Sequence, residues 1–275
     1  MNYNISTDID KINNIKAKEK INQIINLYLK ETEKGRKVAF YYENINNKDI
    51  ISFNKDLLFY AASSIKILIC VMILEQNMLN IEEKILVTMN DLKRGTGVIK
   101  NQNKDTYYTI KKLIELTITE SDNTAYLKLV NIIGKEKLKE YGLSLGAKHT
   151  MEGKETDSFG AINCEDMIIY WKKVYDYIES NRKYSQELKK YLQNTTTKLI
   201  NPKSIDNKSF MRKYGSFDVF YNEAGYIEDG DNSYFIIILT RLNQYKYKEK
   251  FINKSAKLIN SINKLTKNKY QREKK

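Results

Sequence analysis

The sequence is poor in the residues that interrupt, cross-link or hold metals. One Pro and 11 Gly among 275 residues leave no composition for a long flexible linker, so we expect a single domain over residues 1–275. Two cysteines, Cys70 and Cys164, cannot build a disulfide framework, and neither belongs to a Cys-x-x-Cys motif. A single histidine, His149, excludes a multi-histidine metal centre. We therefore expect no metal and no other cofactor.

The chain also lacks a long apolar run. Its first residues contain no signal-peptide core, and no stretch reaches the roughly 20 residues of a membrane-spanning helix. We expect no transmembrane segment. As written, the protein is expected in the cytoplasm, and outside it if a native leader precedes this sequence.

Acidic residues are outnumbered, with 34 Asp and Glu against 47 Lys and Arg and a net charge of +13. Such an excess is typical of proteins that bind nucleic acid or another anionic surface. The lysines are scattered rather than gathered on one stripe, and the abundant Lys, Asn, Ile and Tyr are those of an A/T-rich coding bias. We expect a solvated basic surface and no nucleic-acid partner.

Hydrophobic periodicity predicts an α+β fold. Strand-like segments lie at both ends of the chain, at 37–44 and 50–54 and again at 219–227 and 234–240. Helical patterns cover 8–33 and 248–267, and between the strands helices are predicted at 63–77, 110–118, 123–133, 135–145, 164–181 and 185–198. The grouping predicts one antiparallel sheet from about 1–60 and 205–275, flanked by helices, with an all-helical lobe inserted at about 61–204.

The first candidate for chemistry is Ser63-x-x-Lys66. The same spacing also occurs at Ser52, Ser180 and Ser261, but only Ser63 lies where a strand gives way to an apolar helix. At a helix N-terminus the backbone N–H groups and the helix dipole stabilise a developing oxyanion. A lysine one turn later lies on the same face and can take the serine proton if it is neutral. The alternative is an N-cap serine beside an unrelated lysine.

Two further polar segments contain side chains that can take part in a reaction. Ser121-Asp122-Asn123 lies between two predicted helices, where it can also be a simple turn and N-cap. Lys213-Tyr214-Gly215 lies beside a late strand. In this order, after Ser-x-x-Lys, the segments resemble the motif set of class A β-lactamases and penicillin-binding proteins.

The resemblance covers most of the chain. Gly95-Thr-Gly is similar to the family's glycine turn, and Asn222-Glu-Ala-Gly resembles its strand after the third motif. It implies a serine β-lactamase/transpeptidase-like fold. It also implies a serine hydrolase that forms an acyl-enzyme with β-lactams.

The resemblance assigns roles to these positions. Ser63 is implied as the nucleophile, Lys66 as its base, and Ser121 as the group that relays a proton to the leaving nitrogen. Asn123 is implied to hold the substrate amide and Lys66. Lys213 is implied to supply positive charge opposite Ser121 and the substrate carboxylate.

The third motif completes the implied site but departs from the family pattern. Gly215 and Ser216 belong to the substrate-binding strand, and the backbone N–H groups of Ser63 and Ser216 are the implied oxyanion hole. Tyr214 stands where the family has Thr or Ser. Its bulk is expected to narrow or re-aim the carboxylate end of the pocket.

A second departure concerns deacylation. The Glu-x-x-Leu-Asn segment of class A enzymes is missing, and the corresponding interval, 151–160, looks short. Glu155 falls nearest to the place of the water-activating base and is a weak candidate. We therefore expect β-lactam hydrolysis to be slow.

Three candidate functions follow from the resemblance. In each, the partner is a small-molecule β-lactam or a D-Ala-D-Ala-like peptide, and the protein is expected to be a monomer. The leading one is a class A β-lactamase-like hydrolase. The alternatives are a D-Ala-D-Ala carboxypeptidase or other serine esterase or amidase, and a sensor domain that is acylated and stops.

Some relatives have a disulfide at the position of Cys70, but its expected partner helix contains no cysteine, so a buried free thiol is predicted.

Overall fold

A computed structural model describes residues 4–7, 14–153, 157–242 and 245–266. Two segments of strand lie at the ends of the chain and a helical block lies between them. In chain order, the elements are β1 (Ile5–Thr7), α1 (Ile15–Glu33), β2 (Lys37–Asn44), β3 (Ile50–Phe53), β4 (Phe59–Tyr60), α2 (Lys66–Gln76), β5 (Lys84–Val87), β6 (Thr106–Thr109), α3 (Ile110–Thr119), α4 (Asn123–Ile133), α5 (Lys135–Ser144), β7 (Ala161–Ile162), α6 (Cys164–Glu179), α7 (Ser185–Gln193), β8 (Phe210–Phe217), β9 (Phe220–Ile227), β10 (Tyr234–Arg241) and α8 (Tyr245–Thr266).

The main sheet is antiparallel, with strand order β1-β3-β2-β10-β9-β8. The central strand β10 pairs along its whole length with β2 and with β9, so the two ends of the chain meet in the middle of the sheet. Strand β8 is an edge strand. The predicted sheet from both chain ends is confirmed.

The sheet is buried on both faces, which explains the nearly continuous apolar run of β10. One face packs against α1 and α8, and the other against the helical block around α2 and α6. Helix α2 is apolar all round and buried from Lys66 to Leu74. Such a helix belongs in the centre of a core, where it gives the polar groups at its start a rigid support.

Several boundaries differ from the sequence prediction. Strand β1 was not predicted, and residues 8–13 of the predicted first helix lie outside the described residues. Helix α7 ends at Gln193 instead of residue 198, because Asn194 and the three threonines that follow favour the helix poorly. Ser63 lies in a 3₁₀ turn, Ala62–Ile65, and α2 begins only at Lys66. The prediction of an α-helix from Ser63 was therefore wrong by one turn.

Both cysteines are fully buried and free. The prediction of a free thiol at Cys70 is confirmed, and burial raises the pKa of this thiol to about 12. A thiol with so high a pKa is a packing group rather than a nucleophile. Among the described helices, none combines the length and apolarity needed to span a membrane.

A buried ion pair attaches the segment before β8 to the sheet. Arg212 on β8 and Glu223 on β9 lie 3.4 Å apart and are 4% and 0% exposed. Glu223 also accepts hydrogen bonds from the backbone N–H groups of Leu199 and Ile200, and Arg212 donates to the Ile200 carbonyl at 2.8 Å. The pair thus positions β8, which carries the third motif.

Replacing Arg212 by Met is expected to destabilise the fold by about 3–5 kcal/mol, because it leaves the Glu223 carboxylate buried without its cation. Urea denaturation measures the change. The matched control is Arg182→Met, whose guanidinium is 56% exposed and 3.8 Å from Glu75, with an expected cost below about 1 kcal/mol. Equal costs for the two variants would contradict this account of the buried pair.

Candidate active site

The Ser63 turn connects β4 to α2 and holds its two serines differently. The backbone of Ala62 is left-handed, with φ of 48°. The Ala61 carbonyl accepts hydrogen bonds from the backbone N–H and the hydroxyl of Ser64, at 3.2 and 2.6 Å. Ser64 is fully buried, whereas Ser63 is 7% exposed and its hydroxyl has no hydrogen-bond partner among the described residues. Ser63 therefore has the hydroxyl that is available for reaction.

Lys66 is completely buried at the start of α2. Its Nζ donates to the Ser121 carbonyl at 2.6 Å and to Asn123 Oδ1 at 2.7 Å. The rings of Tyr126 and Phe159 lie 5.5 and 5.6 Å from the same nitrogen. Burial, and then the charge of Lys213, hold the pKa of Lys66 well below its ordinary value. The neutral amine, which a base needs, is therefore more accessible here than in a solvated lysine.

The hydroxyl of Ser121 lies between two lysines. Lys213 Nζ donates to Ser121 Oγ at 2.9 Å, and Lys66 Nζ lies 3.5 Å from the same oxygen. Lys213 is 1% exposed, and burial lowers its pKa to about 7. Ser121 itself has φ of 53°, and its carbonyl is held by the Thr96 hydroxyl at 2.7 Å. The arrangement is suited to moving a proton between two amines through one hydroxyl.

The glycine turn predicted before the second motif packs directly against it. A Cβ at Gly95 would lie 2.5 Å from Asn123 Nδ2, and a Cβ at Gly97 would overlap the Asp122 carboxylate. Both glycines have positive φ. Asp122 caps α4 and accepts the backbone N–H groups of Val98 and Ile99 at 2.6 and 2.8 Å. The N-cap alternative is thus correct for Asp122, and it positions the neighbours on both sides of it.

Strand β8 approaches the Ser63 turn through Gly215. A Cβ there would lie 2.8 Å from the Ser63 nitrogen and closer still to that of Ser64. Only glycine allows this contact between two backbones. The expected oxyanion donors, the N–H groups of Ser63 and Ser216, therefore belong to segments that touch at Gly215.

Tyr214 points to the sheet face that packs on α1 and α8, and it is 8% exposed. Its hydroxyl accepts a hydrogen bond from Ser216 Oγ at 3.2 Å, and the Lys213 ammonium lies 5.4 Å from its ring centre. The ring thus lies beside Lys213 but on the sheet face opposite to the contact of Gly215 with the Ser63 turn. Its effect on substrate recognition stays a prediction.

The remaining candidate, Glu155, lies outside the described residues. Among the described residues, the hydrogen-bond partners of Lys66 are a carbonyl, an amide and a hydroxyl, with no carboxylate. Asp157 accepts from the Tyr60 hydroxyl at 3.2 Å and from the Phe159 N–H at 2.9 Å. The single histidine, His149, is bonded to Glu152. Sequence reasoning missed Thr96, Tyr126 and Phe159, since no short motif indicates which side chains surround a buried lysine.

Comparisons with known proteins agree with this geometry. Residues 16–262 match the model of the β-lactamase enzyme family, so the chain belongs to that family. The predicted serine hydrolase of β-lactamase type is thereby confirmed.

Solved structures share the fold. A mutant of PBP-A in an acyl-enzyme complex with penicillin G has a TM-score of 0.77 at 19% identity, over 89% of this chain and 96% of the other. A β-lactamase from Sphaerobacter thermophilus gives 0.77 at 18% identity, over 88% and 96%. A class A β-lactamase from Bacteroides cellulosilyticus gives 0.71 at 21% identity, over 91% and 96%.

The depressed pKa of Lys213 predicts a pH-dependent stability. Between its folded pKa of about 7 and the unfolded value near 10.5, only the unfolded chain binds the proton. The free energy of unfolding should therefore rise with pH from 7 to 9, by up to about 1.4 kcal/mol per pH unit, relative to Lys213→Met. Urea denaturation of both proteins at three pH values measures this difference, and parallel pH profiles would contradict it.

Proposed function

We propose that β-lactams acylate Ser63 and that the resulting ester is released slowly. One observation carries the first half: the Ser121 hydroxyl is held between two buried lysines, and one of them, Lys66, follows the unbonded Ser63 by one helical turn. A serine hydroxyl with a lysine as its base can accept an acyl group without a histidine.

The proposed reaction starts with neutral Lys66. Ser63 Oγ attacks the lactam carbonyl, a C–O bond forms, and the serine proton passes to Lys66 Nζ. The C–N bond then breaks as the proton is delivered through Ser121 Oγ to the leaving nitrogen, and Lys66 returns to its neutral form. Protonated Lys213, bonded to Ser121 at 2.9 Å, stabilises the negative charge that accumulates at this end of the site.

The developing oxyanion is assigned to the N–H groups of Ser63 and Ser216. The contact at Gly215 supports this assignment, because it holds the two donor segments together without a side chain between them. Asn123, bonded to Lys66 at 2.7 Å and to the Arg94 carbonyl at 2.9 Å, is rigid enough to orient a substrate amide.

Slow release is supported by the surroundings of Lys66. Hydrolysis of an ester needs a water beside a base, and the rings of Tyr126 and Phe159 lie within 5.6 Å of the Lys66 amine. Among the described residues, the carboxylate closest in sequence to Glu155 is that of Asp157, and it accepts a hydrogen bond from the Tyr60 hydroxyl. The same observation favours a second candidate function, a domain that is acylated and stops.

The first test concerns the nucleophile. A fluorescent penicillin should label the wild type at one site, and Ser63→Ala should lose the label while its melting temperature stays within a few degrees. The matched control is Ser64→Ala, which removes the neighbouring hydroxyl and its bond to Ala61. It should keep the label on Ser63, as peptide mapping by mass spectrometry will show. A label that persists in Ser63→Ala would overturn the assignment.

The second test concerns release. Intact-mass spectrometry should show an adduct that persists for minutes or longer, and steady-state hydrolysis of nitrocefin should be correspondingly slow. Rapid hydrolysis that disappears in Glu155→Gln would instead make the protein a fast β-lactamase with Glu155 as its base. Rapid hydrolysis that survives this change would assign the base to another group, and Asp157→Asn is the matched variant on the same loop.

A further inference from the structure

A cavity of about 440 Å³ lies beside the candidate site and is not used by the proposed reaction. Its wall includes Leu58 and Tyr60 from the chain just before the Ser63 turn. It also includes Phe220, Arg241 and Lys37 from the end of the main sheet.

Strand register places four side chains of this region in one row. Lys37 pairs with Arg241, Arg241 with Phe220, and Phe220 with Phe217. Directly opposed residues of antiparallel strands share a face, so the row crosses β2, β10, β9 and β8 on one side of the sheet. Phe217 lies two residues after Gly215, which faces Ser63, so this is the face of the candidate site.

The half of the row next to the site is aromatic. The ring of Tyr60 lies 5.4 Å from Phe217 and 6.1 Å from Phe220, centre to centre. Phe217 is 64% exposed, an unusual exposure for a phenylalanine. These three rings form a surface for an apolar group next to Ser216.

The other half of the row consists of two cations, Arg241 and Lys37. Like charges directly opposed across two strands are destabilising, and both Arg241 and Lys37 are exposed to solvent. Among the described residues, neither forms an ion pair, although Glu152, Asp157 and Asp218 also line the cavity. An Arg beside a Lys is the arrangement that binds a carboxylate. The three acidic residues disfavour an anion elsewhere in the cavity.

We propose that this cavity binds the acyl side chain of the substrate, and that the preferred side chain has an apolar segment ending in a carboxylate. The apolar part lies on Tyr60, Phe217 and Phe220, and the carboxylate on Arg241 and Lys37. Arg241 lies two strand spacings from Phe217, or about 10 Å. The inference rests on the proposed acylation of Ser63 and specifies which substrates it favours.

The test uses two penicillins that differ only at the end of an octanedioyl side chain, one with a free carboxylate and one with a carboxamide. The carboxylate compound should acylate the wild type about tenfold faster, as followed by intact mass. In Arg241→Gln and Lys37→Gln this preference should fall towards one. Lys190→Gln, which removes an exposed cation on α7, should keep it. Equal rates in the wild type, or an unchanged preference in Arg241→Gln, would overturn the proposal.

Binding to Ser63→Ala separates this inference from the proposed reaction. Calorimetry should show tighter binding of the carboxylate compound, and the difference should disappear when Arg241→Gln is added. If neither compound acylates the wild type, the proposed reaction is wrong, and the calorimetric measurement still shows whether the cavity prefers the carboxylate compound. If free octanedioate binds as tightly as the penicillin, the cavity is a separate anion site and the side-chain assignment is wrong.

Discussion

The site depends on two ammonium groups buried around a single hydroxyl. Lys66 and Lys213 both reach Ser121 Oγ, and both are withdrawn from water. Two buried positive charges so close together are costly, so the pair favours a state in which at least one amine is neutral. The fold therefore places two lysines where they cannot both remain charged, which is the condition that the proposed base requires.

This constraint explains the surrounding architecture. The first lysine needs the apolar helix α2, whose burial removes solvent, and the second needs β8, held in place by the buried Arg212–Glu223 pair. The hydroxyl needs the strained backbone of Ser121, which the capping of α4 by Asp122 and the glycine turn support. The candidate catalytic groups thus come from elements that are far apart in sequence and rigid in themselves.

Much of this was predictable because it is local. The helices, the hairpin of β2 and β3 and the three polar motifs follow from periodicity and residue type, and the order of the motifs pointed to the family. What the sequence does not show is pairwise and long-range. Packing between elements brings the rings of Tyr126 and Phe159 beside Lys66. It also produces the hydrogen bond from Tyr60 to Asp157 and the 3₁₀ form of the Ser63 turn.

Strand β8 demonstrates how far a single register determines function. Alternate residues of the strand place Lys213 on Ser121, Gly215 on the Ser63 turn and Phe217 on Tyr60. A slip of one residue would turn all three to the opposite face, where Tyr214 and Ser216 now point. The Lys213–Ser121 hydrogen bond, the backbone contact at Gly215 and the aromatic surface are therefore not independent features, because the pairing of β8 with β9 positions all three. A change that weakens this pairing should impair all three, whereas a change in one side chain should impair only one.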